Sequence, residues 1–211
     1  MKGISFNIPT ALLCAVIGYL IGNFQTAIIV SRTRYHEDIR DMGSGNPGST
    51  NVLRVYGGLP ALITFVGDFL KAILAVIIGR SLMQDAGGYF SGLFVVIGHV
   101  FPVFYRFKGG KGVASSIAVG MLLYPAGAFI ALGVAVIVFF AFERVSLSSL
   151  SWTLVYIILS VIFKRWDVIF IICAVINALL IFYCHRDNIN RLIHKKEPKM
   201  KLKISKLFKK R

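Results

Sequence analysis

Acidic residues are scarce in this chain: 9 Asp and Glu stand against 24 Lys and Arg in 211 residues, a formal net charge of +15. In a soluble protein that imbalance would point to nucleic acid. Here 56% of the residues are hydrophobic and the mean hydropathy is +0.74, far above a soluble domain, so the partner is membrane lipid and not nucleic acid. Cysteine is equally sparse, and Cys14, Cys173 and Cys184 fall in or beside apolar runs without paired spacing, which implies neither a disulfide framework nor a zinc or other metal site. There is no internal repeat of the kind that marks secondary transporters. A nucleotide P-loop is missing too, because Lys111 in the one Gly/Lys-rich stretch is followed by Gly112 and no Gly-x-x-x-x-Gly-Lys frame precedes it.

What the chain has in abundance is apolar length. Runs near 9–30, 58–80, 88–105, 113–123, 125–142, 147–163 and 167–184 predict an all-α, polytopic integral membrane protein with about seven transmembrane helices and no soluble domain. The first run is too long for the apolar core of a signal peptide and is read as a span. The fourth is short, and Tyr124-Pro125 separates it from the fifth, so one broken span over 113–142 is the alternative to two. Residues 1–194 form the membrane-integral domain and 195–211 a basic cytoplasmic tail; 11 of the 24 Lys and Arg residues follow His185. With the N-terminus outside, nineteen cations fall on inner segments and four, Lys2, Arg80, Lys164 and Arg165, on outer ones, which places the C-terminus in the cytoplasm.

Under that topology the polar motifs share one face. Between Gly98 and Ser115, the stretch Arg106 to Gly112 carries three cations and three glycines, a loop suited to an anion. Glycine lets a phosphate approach main-chain N–H groups, Lys108 and Lys111 add charge, and a helix starting near Val113 adds the positive end of its dipole. A plain positive-inside loop would look much the same. The segment Gly43 to Arg54 supplies turns and neutral donors through Ser44, Gly45, Asn46, Thr50 and Asn51; its ordinary reading is a polar loop with Thr50 or Asn51 capping a helix. Asp68 and Lys71, three apart, can neutralise each other within the second span. His99 sits at the inner end of the third. Ser146 and Ser149 stand at the mouth of the sixth span, where a serine is often only a cap, and His185 and Asn188 are three apart at the end of the seventh. The pair His36 and Asp41 matches the His-x4-Asp spacing of soluble-fold glycerolipid acyltransferases without any companion motif.

Taken together these segments resemble the bacterial acyl-phosphate:glycerol-3-phosphate acyltransferases of the inner membrane. Gly43 to Arg54 resembles the family's Gly-Ser-Gly-Asn-x-Gly-x-Thr-Asn-x-Leu-Arg. Gly98 to Ser115 resembles its Gly-His-x-Phe-Pro…Phe-Lys-Gly-Gly-Lys-Gly-Val-Ala, and His185 to Lys199 its His-Arg-x-Asn-Ile-x-Arg-Leu…Glu-x-Lys. The chain departs from the pattern at Gly22-Asn23-Phe24-Gln25, where the family has Gly-Ser-Ile-Pro, and at Lys195, where it has glycine. The resemblance implies transfer of a fatty acyl group from acyl phosphate to the 1-hydroxyl of glycerol 3-phosphate, the first committed step of phospholipid synthesis. The site would face the cytoplasm and use no cofactor. On that reading Lys108, Lys111 and the amides of Gly109 and Gly110 hold the acyl phosphate, Asn51 and Arg54 the glycerol phosphate, and Ser44 lies near the reacting carbonyl. His185 and Asn188 complete the cradle and Ser149 adds a donor, with His185, His99 or the acceptor's own phosphate as base. A permease for phosphate or an organophosphate is the competing class.

Overall fold

In a computed structural model, which describes residues 7–200, every regular element is helical. Lys2 and residues 201–211 of the basic tail lie outside the described residues. Among the described residues four helical stretches, Ile8–Tyr35, Gly58–Tyr105, Pro125–Phe142 and Val145–Phe163, are long and apolar enough to cross a membrane by length and composition, or five if the bent pair Val168–Cys184 and Arg186–Ile193 counts as a single span. The chain is an integral membrane protein.

The predicted first span is two helices, α1 (Ile8–Gly22) and α2 (Thr26–Tyr35), parted at Asn23 to Gln25. A helix broken at membrane depth must find new partners for its freed main-chain groups. The Asn23 amide donates to the Tyr19 carbonyl at 2.7 Å, Lys71 donates to the Phe24 carbonyl at 2.5 Å, and the Gln25 amide donates to the carbonyls of Gly22 and His99 at 3.3 and 3.0 Å. After a short helix α3 (Ser49–Tyr56), α4 (Gly58–Val100) reverses at Met83 and Gln84, whose φ/ψ values of −146°/33° and 49°/−138° leave the helical region. Gly79 meets Gly87, Val76 meets Gly92 and Lys71 meets His99, so its two halves run antiparallel and match the second and third apolar runs. The third run was expected to stay helical to 105. It stops at Val100, because Pro102 has no N–H to donate, and a single 3-10 turn follows at Val103–Tyr105.

Helices α5 (Val113–Leu123), α6 (Pro125–Phe142), α7 (Val145–Phe163) and α8 (Val168–Cys184) follow the predicted runs closely. Tyr124, at φ −145° and ψ 77°, separates α5 from α6, so residues 113–142 form two helices. With 11 residues α5 is about 17 Å long, roughly half of a ~30 Å hydrocarbon core. A last helix, α9 (Arg186–Ile193), bends 59° away from α8.

Helix association in lipid gains little from apolar burial and relies on close approach. The seam between α1 and the second half of α4 fits that rule: a Cβ on Gly22 would lie 2.3 Å from the Val95 carbonyl oxygen, and one on Gly98 2.2 Å from that of Tyr19. Leu12, Ile137, Phe140, Phe163 and Leu179 point outward instead. Polar residues gather at the two ends of this bundle. At one end Arg80 pairs with Asp85 at 3.0 Å, the Tyr89 hydroxyl donates to Asp167 at 2.5 Å and Lys164 lies over the Tyr124 ring. The other end collects every motif singled out in the sequence.

Candidate functional site

The first loop is folded by Asn51. This side chain, 1% exposed, accepts from the Ser44 N–H at 2.9 Å and from Arg54 at 3.3 Å, and donates to the carbonyls of Met42 and Ile39 at 2.9 and 3.3 Å. Gly43 takes φ +58° against it, and a Cβ there would sit 2.3 Å from the Asn51 oxygen. Asn51 therefore holds the loop from within. Neither it nor Thr50 is a helix cap, since α3 is preceded by Gly48 and has no side-chain cap. Ser44, Gly45 and Arg54 are left exposed, and Asn46 and Thr50 half-buried. Asp38 ties down the other side by accepting from Arg40 at 2.8 and 3.0 Å and from Arg32 at 2.8 Å; the Arg40 bonds first, then that of Arg32, hold its carboxyl well below the usual carboxylate range. His36 and Asp41 are both exposed, and His36 merely ends α2 in the left-handed region.

Arg40 also donates to the Tyr105 carbonyl at 3.0 Å and thereby joins the first loop to the Gly/Lys loop. The amides of Gly109 and Gly110 were expected to face an anion. They donate instead to the carbonyls of Val100 and His99 at 3.1 and 3.2 Å, closing a turn against the end of α4. Both must be glycine, because a Cβ would lie 1.9 Å from the His99 carbonyl oxygen at Gly109 and 2.2 Å from His99 Nε2 at Gly110. The loop's charge splits in two: Lys108 is exposed, whereas Lys111 turns inward and donates to the Asn188 oxygen. Burial is the main influence on the Lys111 ammonium and pushes its pKa down, with Glu197 opposing. As expected, α5 begins at Val113 directly behind this loop.

His185 and Asn188 are both buried, at the junction of α8 and in α9. The His185 Nδ1–H donates to the Ile181 carbonyl at 2.8 Å, a bond that assigns the proton to Nδ1 and leaves Nε2 as an acceptor. Asn188 is oriented by a residue to which the sequence reading gave no role. Glu197, only 7% exposed, accepts from Asn188 Nδ2 at 2.7 Å, from the Ser146 hydroxyl at 2.6 Å and from Arg191 Nε at 2.7 Å. Burial would raise its pKa, but these three donors outweigh burial and hold it below the usual value. Ser146 is thus a partner of Glu197 and not the cap of α7, whose start has no side-chain cap. The chain after 194, read in sequence as tail, is bound here as far as Met200, whose N–H donates to the Glu143 carbonyl at 2.7 Å. Its signal was present in the Glu-x-Lys end of the third motif.

Beside this polar line, α5, α6 and α7 form an open apolar cavity of about 280 Å³, lined by Val113, Ile117, Leu132, Phe139, Phe140 and Trp152, with Ser148 and Ser149 the hydroxyl side chains on its wall. Ser149 donates to the Val145 carbonyl at 2.9 Å within its own helix, and its oxygen remains free to accept.

The family model described as glycerol-3-phosphate acyltransferase matches residues 12–195. A glycerol-3-phosphate acyltransferase of Thermoanaerobacter sp. (strain X514) is 43% identical over 190 residues, covering 90% of this chain and 96% of its own. That of Finegoldia magna is 39% identical over 189 residues, covering 90% and 96%. Two crystal forms of PlsY (YgiH), described as an integral membrane glycerol 3-phosphate acyltransferase, superpose over 94% of this chain and 99% of theirs. The glycerol 3-phosphate form gives a TM-score of 0.86 at 32% identity, and the lysophosphatidic acid form 0.82 at 31%. Motifs, helices and relatives agree along nearly the whole chain, which belongs to the glycerol-3-phosphate acyltransferase family.

Proposed function

We propose that the protein transfers a fatty acyl group from acyl phosphate to the 1-hydroxyl of glycerol 3-phosphate, releasing inorganic phosphate and lysophosphatidic acid. The observation that carries this reading is a shared edge. Lys111, bonded to Asn188 of α9, stands directly before α5, and Val113, two residues on, already lines the apolar cavity that Ser149 also borders. A ligand with a phosphate at one end and a long hydrocarbon at the other fits that juxtaposition.

The reaction needs no covalent enzyme intermediate, since acyl phosphate is a mixed anhydride with a good leaving group. The acceptor oxygen bonds to the acyl carbon, the bond from that carbon to the phosphate oxygen breaks, and the hydroxyl proton leaves. Positioning and charge stabilisation suffice as the catalytic means. Lys111 and Lys108 bind the leaving phosphate, Arg54 binds the acceptor phosphate, Ser44 lies near the carbonyl, and Asn188 holds Lys111 in place. Gly45, Asn46 and Thr50, on the same loop as Ser44 and Arg54, add to the acceptor's binding surface. His99 is not open to substrate, because Nδ1 faces Lys71 and Nε2 faces Gly110. Two bases remain, His185 Nε2 and the acceptor's own phosphate dianion.

The same reading carries seven passages through a bacterial inner membrane, the α4 hairpin counting twice, with the N-terminus outside and the site in the cytoplasm. Arg80 and Lys164 lie at the end opposite the motifs, consistent with the positive-inside pattern. Residues up to 200 act as one membrane-integral unit. The permease reading is set aside: the relatives are acyltransferases, and the two ionisable residues deep in α4, Asp68 and Lys71, are spent on each other at 2.8 Å. The deciding experiment offers purified protein glycerol 3-phosphate with either palmitoyl phosphate or palmitoyl-CoA. Phosphate release and lysophosphatidic acid from the acyl phosphate alone is the expected outcome, and turnover with the CoA ester alone would overturn the reading.

A further inference from the structure

Beneath the Gly/Lys loop lies a buried polar network that the chemistry above leaves unused. Asp68, Lys71 and His99 are 3, 6 and 4% exposed. The Lys71 ammonium spends its three donors on Asp68 Oδ1 at 2.8 Å, the Phe24 carbonyl at 2.5 Å and His99 Nδ1 at 2.8 Å. Thr26 donates to Asp68 Oδ1 at 3.1 Å, and Ser115, in the first turn of α5, donates to the Asp68 carbonyl at 3.0 Å. An ammonium has no lone pair, so His99 Nδ1 must accept and its ring proton sits on Nε2, the atom against Gly110. The His99 carbonyl meanwhile takes both the Gly110 N–H and the Gln25 amide. Ion pairs alone do not need such wiring: Asp68 would neutralise Lys71 without His99, and His99 would fill its space without Lys71.

We propose that Lys71 is a positioning residue for the phosphate loop. It fixes the tautomer and orientation of the His99 ring, and that ring, with the His99 carbonyl, sets the Gly109–Gly110 turn that delivers Lys111 to Asn188. The break between α1 and α2 belongs to the same device, since it frees the Phe24 carbonyl that completes the Lys71 shell. The inference rests on Lys111 as the phosphate ligand, so the test reads phosphate binding directly as well as turnover.

The variant is Asp68→Asn/Lys71→Met in the full-length protein, which removes both charges and leaves no buried ion unpaired. Binding of inorganic phosphate is followed by calorimetry, and acyl-phosphate turnover by phosphate release. The expected result is at least about a tenfold weaker phosphate affinity and a matching rise in KM for the acyl phosphate, about 1.4 kcal/mol, with kcat little changed. Unchanged phosphate affinity would overturn the proposal, as would a fall in kcat at constant KM, which would make the network part of the chemistry. Wild-type protein that binds phosphate without turning over acyl phosphate would sink the proposed activity and leave the positioning role to be read from binding alone; wild-type protein that binds no phosphate overturns both. Should the double variant fail to fold, Gly110→Ala with and without His99→Ala decides. The pair should bind phosphate no worse than Gly110→Ala alone, because the ring and the new methyl contend for one space, and penalties that simply multiply would refute the coupling.

Discussion

Replacing Glu197 by Gln should disable the site from a distance by turning one amide over. A carboxylate only accepts hydrogen bonds, so whatever faces Glu197 must donate. That requirement points Asn188 Nδ2 at Glu197 Oε1, at 2.7 Å, and therefore Asn188 Oδ1 at Lys111. Glutamine keeps the shape but offers one acceptor oxygen in place of two. With its nitrogen toward Asn188, the asparagine must flip and present a donor to the Lys111 ammonium; with its nitrogen toward Arg191, two donors collide there instead. Hydrogen bonds to charged groups are worth about 1.5–3 kcal/mol, and Arg191, whose side chain is 42% exposed, belongs at the low end of that range. A loss of about 2 kcal/mol corresponds to roughly 4–8 °C in Tm for a chain of this size. KM for acyl phosphate should rise at least about tenfold as Lys111 loses its aim. The sign with pH is fixed as well: the folded Glu197 carboxyl titrates below its usual 4.5, so its stabilisation is present above that pH and is lost as pH falls through the folded value. Thermal unfolding in detergent across the acid limb, paired with phosphate-release kinetics, measures all three. A Glu197→Gln protein with wild-type Tm, KM and acid limb would refute the orientation argument.

Ser44→Ala at normal membrane level should lose most of its turnover, and undiminished turnover would remove Ser44 from the site. His185→Gln should lower kcat by about 10²-fold or more and erase the acid limb of the pH–rate profile; an unchanged profile would assign the proton to the acceptor phosphate. Lys111→Met should raise KM for acyl phosphate steeply at any ionic strength, whereas Lys108→Ala, exposed, should raise it a few-fold and only at low salt, as a salt titration of both would show. Leu132→Trp, which fills the apolar cavity, should shift preference toward shorter acyl phosphates in a chain-length series with little effect on KM for glycerol 3-phosphate.

Much of the architecture was written in apolar run length. The apolar runs reappear as helices because lipid permits few alternatives, and the hairpin in α4 was marked by the polar interval Arg80 to Ala86 between two of them. What run length does not carry is where a helix breaks inside lipid. The gap at Asn23 to Gln25 depends on Lys71 and His99, distant in sequence, which supply its partners. The site was legible as motifs but not as roles. Asn51, Gly109 and Gly110 are the residue types a phosphate would choose, yet the same donors serve equally well to close a loop, and here they do. Glu197 was hidden by its neighbours: four lysines lie between 195 and 201, and a charge run reads as solvated until one acid in it turns inward.

The glycine seam carries a consequence for how this sequence can vary. In a water-soluble protein the large apolar side chains are the irreplaceable ones and the surface drifts. Here the order is reversed: Phe140 and Leu179 face lipid, where one oily side chain does as well as another, while Gly22 and Gly98 have no room for a single methyl. A tolerance map of the chain would therefore look inside out, with its most permissive positions among the bulkiest residues and its least permissive among those with no side chain.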